Sequence, residues 1–164
     1  MPLYLRKIRQ ENWYDEGLEW LPEGDFPCDP LSDLNTQQCT LSVYEVTDDR
    51  SNLNRVITAL AATRNKIEDV AFVLFDAAVL DELHITARPS PGTTPDEEVN
   101  RSHRNLVEVS AARQLSLAKF MKSSGEIDRF LPPEVRKLLR EAVKSGRLAE
   151  DRLQPALRQK LTSG

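Results

Sequence analysis

Val70-Ala-Phe-Val-Leu-Phe75 is a run of six consecutive apolar residues, preceded by Glu68-Asp69 and followed by Asp76. A strand that is apolar on both faces is typical of the interior of a sheet. Upstream, residues 40–46 are rich in β-branched and aromatic residues and predict another strand. Apolar side chains at helical spacing in residues 51–64 predict an amphipathic helix between the two. The sequence therefore predicts a βαβ unit over residues 40–76, with parallel strands and a right-handed crossover.

The segment after this unit contains one clear break. Pro89-Ser-Pro-Gly-Thr93 predicts a turn, because two prolines and a glycine do not fit a regular element. From Thr94 the pattern predicts a long helix that runs to about Lys122. Thr94 suits the N-cap of that helix, and Glu97 would complete a capping box.

Residues 126–164 predict a helical hairpin. Pro132 and Pro133 suit a helix start, and apolar residues at helical spacing follow. A pair of helices this short cannot bury its apolar stripe alone. We expect the hairpin to dock on the main body or on another chain, and its predicted partner-binding residues are Leu138, Leu153, Leu157 and Leu161.

Together these elements predict an α+β fold, with a small α/β fold as the variant. The N-terminal part contains the βαβ unit and a short sheet, and the C-terminal half is helical, with one long helix and the hairpin. The predicted division is a mixed α/β domain over residues 1–125 and the hairpin over residues 126–164.

Residues 1–35 predict an irregular acidic arm, with one short helical turn near residues 10–16. The arm has three Lys or Arg against eight Asp or Glu, and it contains both tryptophans. We expect Trp13 and Trp20 to anchor the arm to the core, because aromatic side chains bury much apolar area. The alternative is that they form a partner-binding patch, since aromatic residues dominate interface hot spots.

An acidic group is the first candidate for chemistry. Asp48 and Asp49 follow the first strand of the predicted βαβ unit, and Asp76 follows the second. Ligands bind at the carboxyl ends of adjacent parallel strands, and carboxylates there would suit Mg²⁺. The alternative is that all three cap helices, a position that aspartate favours.

His103 and Arg104 are the second candidate. His103 lies at the edge of the apolar face of the predicted long helix, beside Arg104. The pair would suit acid–base or phosphate-binding chemistry. A hydrogen-bonded packing histidine fits the same position.

Composition narrows the possible classes. Hydrophobic residues are 40% and charged residues 29% of the 164, as in globular domains. The longest apolar run is too short for a membrane span, and we predict a cytoplasmic protein. Cys28 and Cys39 lack the paired spacing of a zinc site, and no motif predicts a cofactor or a resident metal. Residues 93–164 have a balance of only +4, which is well short of a nucleic-acid footprint, so nucleic acid is an unlikely partner.

Two functional hypotheses follow. The first is a non-catalytic cytoplasmic protein that binds another protein chain or itself, such as an adaptor, an immunity-type protein or a regulatory subunit of a bacterial complex. The second is a Mg²⁺-dependent phosphoesterase or nuclease-like enzyme that uses the acidic group.

Overall fold

A computed structural model describes residues 1–163, so Gly164, the last residue of the predicted hairpin segment, lies outside the described residues. Within that range six strands form one sheet in the order β4-β5-β2-β1-β3-β6, and each neighbouring pair is antiparallel. They are β1 (Leu3–Ile8), β2 (Leu41–Val46), β3 (Val70–Asp76), β4 (Thr86–Pro89), β5 (His103–Val107) and β6 (Glu126–Phe130). The predicted α+β class is confirmed.

Seven α-helices lie in the same residues: α1 (Asp29–Asp33), α2 (Leu53–Ala62), α3 (Ala78–Glu82), α4 (Glu97–Ser102), α5 (Ala111–Ser124), α6 (Pro132–Lys144) and α7 (Pro155–Thr162). Short 3₁₀ turns span Gln10–Trp13 and Glu150–Arg152. Among residues 1–163 no helix combines the length and the apolar character that a membrane crossing requires.

Strand β3 occupies the interior position that its sequence predicts. All six residues from Val70 to Phe75 are buried, and β3 pairs with β1 on one side and β6 on the other. The order strand, helix, strand over β2, α2 and β3 is confirmed as well. Strands β2 and β3 also run parallel to each other, as predicted, because each is antiparallel to β1. The expectation that they are neighbours is wrong, because β1 lies between them.

The predicted helical turn near residues 10–16 is confirmed by Gln10–Trp13, but strand β1 corrects the expectation that the rest of the arm is irregular. Leu5 is fully buried, and Tyr4 and Ile8 are nearly so. The guanidinium of Arg6 donates hydrogen bonds to the carbonyl oxygens of Asp33 and Ser42, at 2.7–2.9 Å. These bonds let a charged residue occupy a central strand.

The predicted long helix is wrong, because the chain forms α4, β5 and α5 over that segment. Strand β5 fills the gap between β2 and β4, with Leu106 opposite Leu41 and Ala87. At Glu108 the backbone is left-handed, with φ of 60°, and the Ser110 hydroxyl then caps α5 by accepting from the Arg113 N–H. Sheet pairing has overridden a helical spacing of apolar residues.

The predicted capping box at Thr94 is also wrong. Asp96 is the N-cap of α4, and its carboxylate accepts from the N–H groups of Glu98 and Val99. Thr94 is buried and donates its hydroxyl proton to the side chain of Asn100 at 2.7 Å. Asp96 caps the helix in place of Thr94 because its carboxylate, two residues later, accepts from two free backbone N–H groups.

Helices cover both faces of the sheet. One core lies between the sheet and α1, α3 and α5, and includes Tyr4, Val73 and Met121. The other lies between the sheet and α2, α4, α6 and α7, and includes Leu5, Phe72 and Leu139. The second core places α6 and α7 on the same body as β3, and β6 extends the sheet past the predicted boundary at residue 125.

Candidate functional site

The three predicted catalytic carboxylates do not meet. Since β1 separates β2 from β3, the two strand ends are about 10 Å apart in the plane of the sheet. Asp48 pairs with the Met1 amine at 2.7 Å. Asp76 accepts from the Ala78 N–H at 2.8 Å, and Ala77, not Asp76, is the N-cap of α3. The predicted magnesium cluster is not formed.

Asp49 closes the turn between β2 and α2. Its carboxylate accepts from the Ser51 N–H at 3.0 Å. Hydrogen bonds from the Ser51 backbone and the Thr47 side chain lower the pKa of Asp49 to about 2. The group is therefore a firmly ionised turn cap.

His103 and Arg104 lie on β5, not on a helix, and so point to opposite faces of the sheet. His103 is buried; its Nδ1 donates to the Ser90 carbonyl at 2.6 Å, and its ring meets Tyr44 edge to face at 5.0 Å. Arg104 pairs with Glu45 at 2.8 Å and donates to the Arg101 carbonyl. Each is engaged in separate contacts of the fold, and the two form no joint site.

The predicted partner-binding leucines turn inward. Leu153 and Leu157 are buried in the core of their own chain, and Leu138 and Leu161 are half-buried against it. Docking on the main body, one of the two predicted outcomes, is therefore confirmed, because α2 and β3 supply the apolar surface that the hairpin needs. Partner binding by the half-buried Leu138 and Leu161 stays a prediction.

The two tryptophans have opposite environments. Trp13 is only 3% exposed, and its Nε1–H donates to the Asp33 carboxylate at 2.8 Å. It is the predicted anchor. Trp20 is 70% exposed, so the anchoring expectation is wrong for this residue, and the alternative of a partner-binding patch remains a prediction.

Trp20 lies in an ordered surface segment, residues 14–27, which we call the acidic loop. Hydrogen bonds between backbone groups close successive turns, among them Leu21 N–H to the Leu18 carbonyl at 2.9 Å and Asp25 N–H to the Pro22 carbonyl at 3.1 Å. Lys122 fixes one end by bonding the Trp13 carbonyl at 3.0 Å. At the other end Phe26 packs against the core.

The acidic loop is strongly negative. It has five carboxylates and neither Lys nor Arg, and all five of these residues are exposed: Asp15, Glu16, Glu19, Glu23 and Asp25. Lys122 pairs with Asp15 at 2.7 Å. The other four carboxylates form no ion pair or side-chain hydrogen bond within residues 1–163.

No protein-family model, curated protein or solved structure matches the chain. The acidic loop, with its exposed indole and unpaired carboxylates, is the candidate interaction surface.

One residue of this surface was not predicted from the sequence. Tyr14 is 53% exposed and lies in the same loop as Trp20. The sequence feature that indicates its exposure is its position among acidic residues and turn residues such as Gly17, where the backbone φ is 77°. An aromatic side chain in a turn-rich acidic segment has few apolar neighbours along the chain to cover it.

Proposed function

We propose that the protein is a non-catalytic interaction protein that binds a separate protein partner through the acidic loop. The observation that carries this proposal is the 70% exposure of Trp20 in a loop whose turns are hydrogen-bonded. Adaptors, immunity-type proteins and regulatory subunits all share this mode of action.

The chemistry of the loop indicates the partner. An exposed indole gains free energy when a partner buries it, and tryptophan is enriched among interface hot spots. Lys and Arg side chains also bind the face of an indole by cation–π interaction. Four unpaired carboxylates around Trp20 favour a partner with a positive surface and speed its association. We infer a basic surface with an apolar pocket that accepts Trp20.

A separate partner is favoured over a second copy of this chain. The net charge is −4, so two copies repel each other at long range. The enzyme hypothesis depended on Asp48, Asp49 and Asp76 meeting at one edge of the sheet. Each carboxylate is instead engaged in a separate contact of the fold, and this observation favours the interaction proposal.

Site-specific photocrosslinking tests the proposal. A photoreactive phenylalanine analogue replaces Trp20 in the full chain, and irradiation follows in the cells that make the protein. The matched control carries the analogue at Lys137, which is also exposed but lies on α6. We expect one discrete protein to crosslink at position 20 and not at position 137.

The crosslinked protein must then bind the full chain when both are purified. The proposal fails if position 20 yields the same products as position 137. It also fails if the product is a second copy of this chain, or if changing the five loop acids to Asn or Gln leaves the binding of the purified protein unchanged.

A further inference from the structure

A cavity of about 700 Å³ lies outside the acidic loop. Its walls come from residues 7–11, where β1 leaves the sheet, and from the segment after α2, residues 63–69. Ala71 of β3 and Gln154, just before α7, complete the lining. The cavity is polar at almost every position, unlike the two apolar cores.

Lys7 is a cationic residue that lines this cavity. Within residues 1–163 its amine makes no hydrogen bond and no ion pair. Partial burial, together with the charges of Arg64, Arg6 and Arg9, lowers the pKa of Lys7. Glu68 opposes this shift, but the Glu68 carboxylate pairs with Lys66 at 2.6 Å.

Arg9 is the second free cation. Its side chain has no hydrogen-bond partner in the described residues, although its backbone N–H donates to Asp33. Arg64, by contrast, donates to the Asp69 carbonyl at 2.6 Å. Lys7 and Arg9 therefore both have unused hydrogen-bond donors in this cavity. A bound anion would accept from these donors and would reduce the repulsion between the neighbouring positive charges.

We propose that this cavity binds a small molecule with one oxyanion group, a carboxylate or a phosphate, held by the Lys7 amine and the Arg9 guanidinium. Charge-assisted hydrogen bonds from ammonium and guanidinium groups to such oxygens are among the stronger ones in proteins. Glu11 and Asp69 also line the cavity. Their carboxylates repel a polyanion and accept hydrogen bonds from the N–H or O–H groups of an amino or hydroxy acid.

Isothermal titration calorimetry on the full chain tests this site. The probes are inorganic phosphate, glycolate and glycine, so that the panel separates a phosphate from a carboxylate ligand. We expect at least one probe to bind in the millimolar range or tighter. Lys7→Gln should weaken that probe about tenfold or more, since it removes a charged contact, and Lys7→Arg should retain it.

Lys137→Gln is the matched control, because it removes one exposed positive charge far along the chain, on α6. It should leave the affinity unchanged. Arg9→Gln serves as the second test if Lys7→Gln lowers the melting temperature, and it should weaken the same probe. The proposal is overturned if no probe binds, or if parent, Lys7→Gln and Arg9→Gln bind equally well.

Discussion

At the scale of single residues, Trp13 and Trp20 show how the fold divides one residue type between two roles. Trp13 fills the core beside α5 and satisfies its indole N–H on Asp33. Trp20 is exposed to solvent on a loop whose turns are closed by backbone hydrogen bonds. The sequence offered no way to distinguish them, since both lie among acids and near turn residues.

The two tryptophans should differ in their effect on stability. Trp13→Ala should cost about 3–5 kcal/mol of unfolding free energy, as buried aromatic truncations do. Trp20→Ala should change it by less than about 0.5 kcal/mol, as exposed substitutions do. Urea denaturation followed by circular dichroism measures both, and equal costs would contradict the environments described above.

Asp96 is a buried charged residue that links α4 to α2. It is 4% exposed, caps α4 and pairs with Arg55 at 2.7 and 3.0 Å. Burial alone would raise the pKa of Asp96, but hydrogen bonds from Arg55 and from the Val99 and Glu98 N–H groups outweigh it and lower the pKa. The ionised form is therefore stabilised in the folded protein.

Asp96→Ala should lower the unfolding free energy by about 2–4 kcal/mol at neutral pH, from the lost cap and the lost charged hydrogen bonds. The matched control is Glu98→Ala, because Glu98 also pairs with Arg55 but is 67% exposed, and it should cost less than about 1 kcal/mol.

The cost of Asp96→Ala should also depend on pH. A carboxylate with a lowered pKa contributes stability above its unfolded pKa, about 4, and loses that contribution as the pH falls through its folded pKa. The difference between parent and Asp96→Ala should therefore shrink on acidification. A difference that stays constant from neutral to strongly acidic pH would contradict this role for Asp96.

At the scale of elements, the strands that could be predicted from the sequence are those whose pattern lies within a few consecutive residues. Strand β3 was predictable because a short run that is apolar on both faces, between polar residues, is typical of an interior strand. Strand β1 was not, because Arg6 and Lys7 break its pattern. The guanidinium of Arg6 donates hydrogen bonds to carbonyl oxygens far along the chain. Lys7 lines the cavity.

The sequence did not predict strand β5 for a different reason. Val99 and Leu106 are spaced as on one helix face, and nothing local separates them. The chain leaves the helix at His103 because the edge of β2 offers backbone partners there, and buried N–H and C=O groups must be paired. A contact between residues about sixty positions apart decided this element, so no short window predicts it.

The C-terminal elements should be inseparable from the sheet. A chain that ends at residue 125 loses β6 and the leucines that cover Phe72, so it should lose its cooperative thermal melt in circular dichroism. The milder test is Leu157→Ala, which should cost about 2–5 kcal/mol, against a smaller cost for the half-buried Leu161. A truncated chain with an intact cooperative melt would show that α6 and α7 are an appendage.

At the scale of the whole molecule, the charge is segregated. Residues 1–35 have a balance of −5, and residues 93–164 have fourteen Lys or Arg against ten Asp or Glu. The fold uses part of this asymmetry internally, as in the pair between Lys122 and Asp15. Four carboxylates of the acidic loop remain unpaired around Trp20, which is the feature that the proposed function depends on.

The candidate site was predictable only as a region. Sequence placed both tryptophans and the acids in one arm, and proposed the patch as an alternative. It did not predict which aromatic side chains would be left in solvent, because that depends on how many can reach the core from a loop tied down at Trp13 and Phe26.

The most direct test of the interaction proposal is the affinity of the full chain for the protein captured at position 20, measured by calorimetry for the parent, Trp20→Ala and Leu131→Ala. Leu131 is another large apolar residue that is exposed, at 44%, and serves as the control. We predict that Trp20→Ala weakens binding by about 2 kcal/mol or more, with an unchanged melting temperature, and that Leu131→Ala binds as the parent does. Equal affinities for the parent and Trp20→Ala would contradict the account.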